Sequence, residues 1–131
     1  MQINHVMIGS DDIDAAKDFY TKVLGVLGEA KPVDNVKDDG TKRVFFMMEG
    51  TSFALTQPID GKPASEGNGS TIGFKCTSAQ QVKDFHEAAI AAGGKAIEDP
   101  PGKRDSNMGP VHLCYFLDLD GHKICGIYRG E

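Results

Sequence analysis

The chain has 131 residues, which is the usual size of one domain, and its 40% hydrophobic content is that of a soluble globular protein. The net charge of −5 at pH 7 argues against a nucleic-acid partner, because nucleic acid selects a basic surface. No apolar run is long enough to span a membrane, and the first residues lack the blocks of a signal peptide. Three cysteines without metal-motif spacing predict free thiols and a cytoplasmic protein.

The first half of the chain predicts a strand, a helix and three further strands. A strand is predicted at residues 2–8, and Ser10–Asp12 supply capping oxygens for the helix that follows. The apolar stripe of this helix is Ile13, Ala16, Tyr20, Val23, Leu24 and Leu27. A short strand is predicted at residues 30–33, and residues 43–48 and 52–57 form a predicted hairpin. This β-α-β-β-β unit is module one, about residues 1–57.

The second half repeats the first. The Lys-Asp-Phe of residues 17–19 returns at residues 83–85, about half a chain later. After a Pro- and Gly-rich linker at residues 58–69, module two covers about residues 70–131. Its predicted elements are a strand at 71–76, a helix capped by Ser78, a short strand at 95–97, a long loop at 98–109, and strands at 111–117 and 123–128.

Two such modules predict an α+β fold in a single domain, residues 1–131. A sheet with one helix on its back still has one open face. Pairing the two sheets, within one chain or between two chains, makes a half-barrel with a cleft inside. Ligand-binding residues are therefore expected on strand positions that face this cleft.

Four segments carry a resemblance to a known family. They are Ile-Asn-His-Val-Met-Ile at residues 3–8, Ala-Lys-Asp-Phe-Tyr-Thr-Lys-Val-Leu-Gly at 16–25, Ala-Ala-Gly-Gly at 91–94, and Phe-Leu-Asp-Leu-Asp-Gly-His-Lys-Ile at 116–124. With them the chain resembles the vicinal oxygen chelate superfamily. That superfamily contains glyoxalase I, extradiol dioxygenases, methylmalonyl-CoA epimerase, and the fosfomycin and bleomycin resistance proteins. The resemblance implies paired βαβββ modules, and homodimers whose clefts are shared between chains.

The resemblance also implies four metal-ligand positions, and this chain keeps only one of them. His5 matches, but Ala54, Thr71 and Cys125 stand where the family pattern has glutamate, histidine and glutamate. One imidazole and one thiol do not make the three-ligand set of a catalytic metal site. No metal and no cofactor are therefore expected. The carboxylate base of the isomerases is missing as well, so their activity is not carried over.

The candidate ligand-binding residues are His5, Phe45, Met47, Thr71, Arg104, Tyr115 and Cys125. Tyr115 alternates with Leu113 and Leu117, and the pattern leaves open whether this set or its opposite lines the cleft. Cys125 is a reactive thiol if His5 lies beside it, or else a small buried residue. The loop at 98–109, with Lys103 and Arg104, is either a lid over an anionic ligand or a solvated surface loop.

Three hypotheses about function are consistent with these residues. The first is a metal-independent protein that binds a small molecule in the cleft between modules, as a homodimer. The second is a lyase or dioxygenase with a metal site rebuilt from His5, Cys125 and either His112 or Glu49. The third is a dimer that binds no small ligand.

Overall fold

The computed structural model describes all residues from Met1 to Glu131. The elements of the first half are β1 (His5–Gly9), α1 (Ile13–Leu24), β2 (Pro32–Val36), β3 (Lys42–Met48) and β4 (Thr51–Thr56). Those of the second half are β5 (Ile72–Lys75), α2 (Ala79–Ala91), β6 (Lys95–Ala96), β7 (Gly102–Arg104), β8 (Val111–Leu117) and β9 (Lys123–Arg129). The predicted α+β class is confirmed. Both helices are too short and too polar to cross a membrane.

Side-chain caps start both helices where the sequence predicts them. The Asp12 carboxylate accepts a hydrogen bond from the backbone N–H of Ala15 at 3.1 Å. The Ser78 hydroxyl oxygen accepts one from the N–H of Gln81 at 3.0 Å. Each bond satisfies one of the free N–H groups of a first helical turn, which stabilises a helix by about 1 kcal/mol.

Sheet one has the strand order β1-β4-β3-β2, with β1 and β4 parallel and the other pairs antiparallel. Its buried face carries Val44, Phe46, Phe53 and Leu55. The predicted strand at residues 30–33 is shifted: β2 begins at Pro32 and extends to Val36. Pairing with β3 decides these bounds, and the exposed, mostly polar residues of β2 carry little alternation of their own.

Sheet two has the order β5-β9-β8-β6, and β7 also pairs with β8. The prediction of a plain loop at residues 98–109 is wrong, because Gly102–Arg104 is a strand antiparallel to Val111–Leu113. This strand continues the sheet edge along β8 beyond the short β6. Its Gly-Lys-Arg sequence has no apolar residue, so the hydrophobic pattern gives no signal for it.

One hydrophobic core lies between the two sheets and contains the apolar faces of both helices. The Phe116 ring of β8 lies 6.3 Å from the Phe19 ring of α1 and 5.3 Å from the Phe85 ring of α2, measured between centroids. Phe53 of sheet one and Phe74 of sheet two are in edge-to-face contact at 5.3 Å. Because both helices lie between the sheets, the other face of each sheet points away from the core.

We call these outward surfaces open face one and open face two. Open face one consists of His5, Met7, Phe45, Met47, Ser52 and Ala54. Open face two consists of Gly73, Leu113, Tyr115, Leu117, Lys123, Cys125 and Ile127, with Thr71 just before β5. Each open face thus lies on the side of its sheet opposite the shared core.

A buried polar contact joins α1 to the β8–β9 turn. The Tyr20 hydroxyl donates a short hydrogen bond to the Asp118 carboxylate. The same carboxylate accepts from the backbone N–H groups of Asp120 and His122, both at 2.9 Å. The His122 ring nitrogen Nε2 lies 2.7 Å from the Gly9 carbonyl oxygen, so as a donor it ties the turn to β1. These bonds fix module two against module one.

Gly126 allows α2 to pack closely on β9. A Cβ atom there would come within 2.8 Å of the Phe85 ring and 2.9 Å of the Cys114 sulfur. The inward position opposite Phe85 therefore has no room for a larger residue, while Gly73 on open face two has no contact that close.

Candidate functional site

Three predicted site residues lie together on open face one. The strand register places His5 and Met47 on either side of Ser52, and Phe45 beside Ala54. Met47 is 64% exposed, and His5 is also exposed, with its Nδ1 atom 2.7 Å from the side-chain oxygen of Asn4. An imidazole and two large apolar side chains thus share one accessible surface.

Tyr115 and Cys125 lie side by side on open face two, as a cross-strand pair of β8 and β9. The structure thereby decides which set of β8 residues faces outward, since Cys114 and Phe116 pack into the core. Burial raises the pKa of the Cys125 thiol, and Cys125 is only 6% exposed. A raised pKa keeps the thiol protonated at neutral pH, which is the opposite of nucleophile activation. Within one chain, His5, the base that would have activated it, lies on the other open face.

Lys123 completes open face two, although it is not among the site residues predicted from the sequence. Its ammonium forms an ion pair with Glu98, and its Nζ atom lies 4.7 Å from the centroid of the Tyr115 ring. The hydrogen bond to Glu98 raises the pKa of Lys123, so the side chain stays positively charged. Glu98 is the one non-glycine residue with a positive φ, at 58°. The alternation of β9 was the available signal, because it places Lys123 on the same face as Cys125.

Thr71 lines two adjoining cavities together with Lys123. The larger has a volume of about 490 Å³ and lies between the loop at residues 66–71 and the start of β9. The smaller, of about 220 Å³, runs along the junction of the sheets and is lined on the other side by Met7. Only the larger reaches the size of ordinary small-molecule sites.

Arg104 binds its own loop, which favours the surface-loop alternative over the lid. Its guanidinium donates hydrogen bonds to the carbonyl oxygens of Gly102 at 3.1 Å, Asp99 at 3.2 Å and Pro100 at 2.9 Å. Lys103, the other cation of the segment, pairs with Glu131 at 2.7 Å. The segment is therefore held at the edge of sheet two, because β7 pairs with β8 and both cations already have partners within the chain.

The comparison with protein families decides the family. The profile of the Glyoxalase/Bleomycin resistance protein/Dioxygenase superfamily matches residues 2–125. The chain belongs to this superfamily. The resemblance drawn from the four sequence segments is therefore confirmed.

Solved structures of this superfamily have the same fold. A glyoxalase/bleomycin resistance protein from Albidiferax ferrireducens is 41% identical, with a TM-score of 0.84, over 96% of this chain and 98% of that one. A mutant fosfomycin resistance protein from Listeria monocytogenes, complexed with Mn(II) and a dihydroxypropylphosphonic acid, is 18% identical, with a TM-score of 0.72, over 98% and 90%. A mutant glyoxalase I from Zea mays is 22% identical, with a TM-score of 0.74, over 95% and 44%. A search of curated proteins finds no match.

The residues at the metal positions of the superfamily do not fit a metal ion in this chain. Ala54 offers only a methyl group and is fully buried. Thr71 offers only a neutral hydroxyl, and within one chain no group of three or more His, Cys, Asp and Glu side chains is arranged to hold a metal. The two residues considered as replacement metal ligands, His112 and Glu49, do not complete a site. His112 contacts the Glu131 carbonyl oxygen and the Tyr128 ring, and Glu49 lies in the β3–β4 turn.

Proposed function

We propose that this member of the superfamily binds a small organic molecule without a metal ion. The cleft is lined by open face one of one chain and open face two of a second chain. The observation that carries the proposal is the single core between the two sheets, which leaves both candidate surfaces uncovered in one chain. The symmetric pairing of two copies covers both of them at once.

The chemistry of the donors favours binding over catalysis. Proton transfer at carbon needs a base placed near the reacting atom, and the superfamily positions here hold a methyl group, a hydroxyl and a protonated thiol. The imidazole of His5 and the hydroxyl groups of Thr71 and Tyr115 offer hydrogen bonds instead. These groups orient a ligand without forming a covalent bond to it.

The side chains of open face one favour a partly apolar ligand. Met47 is exposed, Phe45 is half-buried, and Val33 beside them on β2 is 51% exposed. Adaptable methionine and rigid aromatic surfaces next to a few polar groups are typical of small-molecule sites. A cytoplasmic location stays a prediction, and the three free thiols support it.

A ligand screen on chelator-treated protein tests the proposal. We expect aromatic and aliphatic carboxylates, amides and alcohols to include compounds that raise the melting temperature equally with and without EDTA. Met47→Ser should weaken their binding by roughly fivefold, because about 1 kcal/mol of apolar contact is lost. Ile59→Ser, at an equally exposed apolar residue of the linker, is the matched control and should leave binding unchanged.

Two results would decide against this function. Binding that needs added zinc, nickel, iron or manganese would favour a lyase or dioxygenase with a rebuilt site. A dimer that binds none of the compounds would favour a purely structural role. Sedimentation equilibrium on the same samples checks the shared cleft, for which twice the mass of one chain is expected.

A further inference from the structure

Lys123, Glu98 and Tyr115 form a cluster on open face two, and the stability of the fold does not require it. Lys123 is held between the Glu98 carboxylate and the Tyr115 ring. Glu98 reaches it from a left-handed backbone conformation, which costs a non-glycine residue roughly 1 kcal/mol or more. An exposed ion pair contributes too little stability to account for such a conformation. Residues in such conformations cluster at active sites, ligand clamps and switch regions.

The ammonium of Lys123 has one N–H group that is free to bind a ligand. It carries three N–H groups, of which one is directed to Glu98 and a second lies against the Tyr115 ring. Its side chain is 33% exposed and lines the cavity of about 490 Å³. Lys123 is the only lysine or arginine that lines either this cavity or the smaller one beside it.

The rest of the larger cavity offers neutral groups that suit an oxygen-rich ligand. Ser70, Thr71 and Asn68 contribute hydroxyl and amide groups that are exposed to solvent. Leu117 is the one apolar residue of the lining. Glu66 is the one acid, and it is exposed to solvent, where its charge is screened.

From this arrangement we infer that Lys123 anchors an oxyanion of the ligand in the cavity beside Thr71. The ligand is therefore an organic oxyanion whose apolar part lies on the open faces. Glu98 and Tyr115 act as positioning residues that hold the ammonium in place. This inference rests on the proposed function and adds the charge class of the ligand to it.

The test compares matched probes by amide chemical shifts in the full-length protein. Benzoate and phenylphosphonate are the anionic probes, and benzamide is the neutral analogue. Both anions should shift the amides of residues 67–71 and Lys123, and benzamide should bind roughly tenfold more weakly, as for a lost charge-assisted hydrogen bond. A preference between the two anions shows whether the site favours a planar carboxylate or a tetrahedral oxyanion.

Three variants complete the test. Lys123→Gln should abolish the preference for anions, whereas Lys123→Arg keeps the charge and should keep it. Lys103→Gln is the control, because Lys103 is also an ion-paired lysine of sheet two but does not line the cavity. If benzamide binds as well as benzoate, or if Lys123→Gln behaves like Lys103→Gln, the inference fails while the proposed function stands. If neither charged nor neutral probes bind, both fail.

Discussion

Phe116→Ala is expected to lower the free energy of unfolding by about 3–5 kcal/mol, because a large aromatic ring is lost from the centre of the core. Phe116 is fully buried and contacts rings of both helices, Phe19 and Phe85. Its removal leaves a cavity between the two modules that neither helix can fill without moving. Urea denaturation measures the loss, and total stabilities of about 5–15 kcal/mol make it easy to detect.

Leu113→Ala is the control for this substitution. Leu113 belongs to the same strand but lies half-buried on open face two. Its truncation should cost about 1 kcal/mol, since much of the side chain is already in contact with water. Equal losses for the two variants would contradict a single core in which both helices lie between the sheets.

Asp118→Ala is expected to lower the free energy of unfolding by about 3 kcal/mol, because three donors lose a buried acceptor. The donors are the Tyr20 hydroxyl and the backbone N–H groups of Asp120 and His122. A double-mutant cycle with Tyr20→Phe should give a coupling energy of about 1–3 kcal/mol. Asp120→Ala, in the same turn but half-buried and accepting a single hydrogen bond, from the N–H of Asp11 at 3.1 Å, should cost only about 1 kcal/mol. A coupling energy near zero would contradict the conclusion that this hydrogen bond stabilises the packing of module two against module one.

The stability difference between wild type and Asp118→Ala should depend on pH, and the pKa of Asp118 gives the direction of the change. Burial is the largest cause of the raised pKa of Asp118, and it outweighs the hydrogen bonds that act in the other direction. The ordinary value is 3.8, and a carboxyl whose pKa is raised in the folded state contributes stability below that value. That contribution is lost as the pH rises through the folded-state pKa. The gap between wild type and Asp118→Ala should therefore be widest in acid, and a gap that widens with rising pH would be the contrary result.

The internal repeat explains why most of the fold could be predicted from the sequence. Each half carries its own capping residue, helical stripe and hairpin, so local patterns are sufficient for the two modules. Phe19 marks the limit: the predicted stripe of α1 left it out, yet it is fully buried. A helix between two sheets is covered on two sides, and the stripe expected for one sheet is too narrow.

The site was less predictable because it depends on contacts between distant segments. Alternation in β8 divides Tyr115 from Phe116 but does not show which of them meets the helix. Lys123 has the composition of a surface residue, and only the approach of Glu98 from another loop makes it part of a cluster. The pairing of modules leaves no sequence pattern either, since the same apolar faces are buried within a chain or between chains.

The metal content of the natively purified protein tests the proposed metal independence most directly. Elemental analysis should find zinc, nickel, iron and manganese well below one ion per chain, with ligand binding unaffected by a chelator. Near-stoichiometric metal that a chelator removes, together with the loss of ligand binding, would contradict a metal-free site.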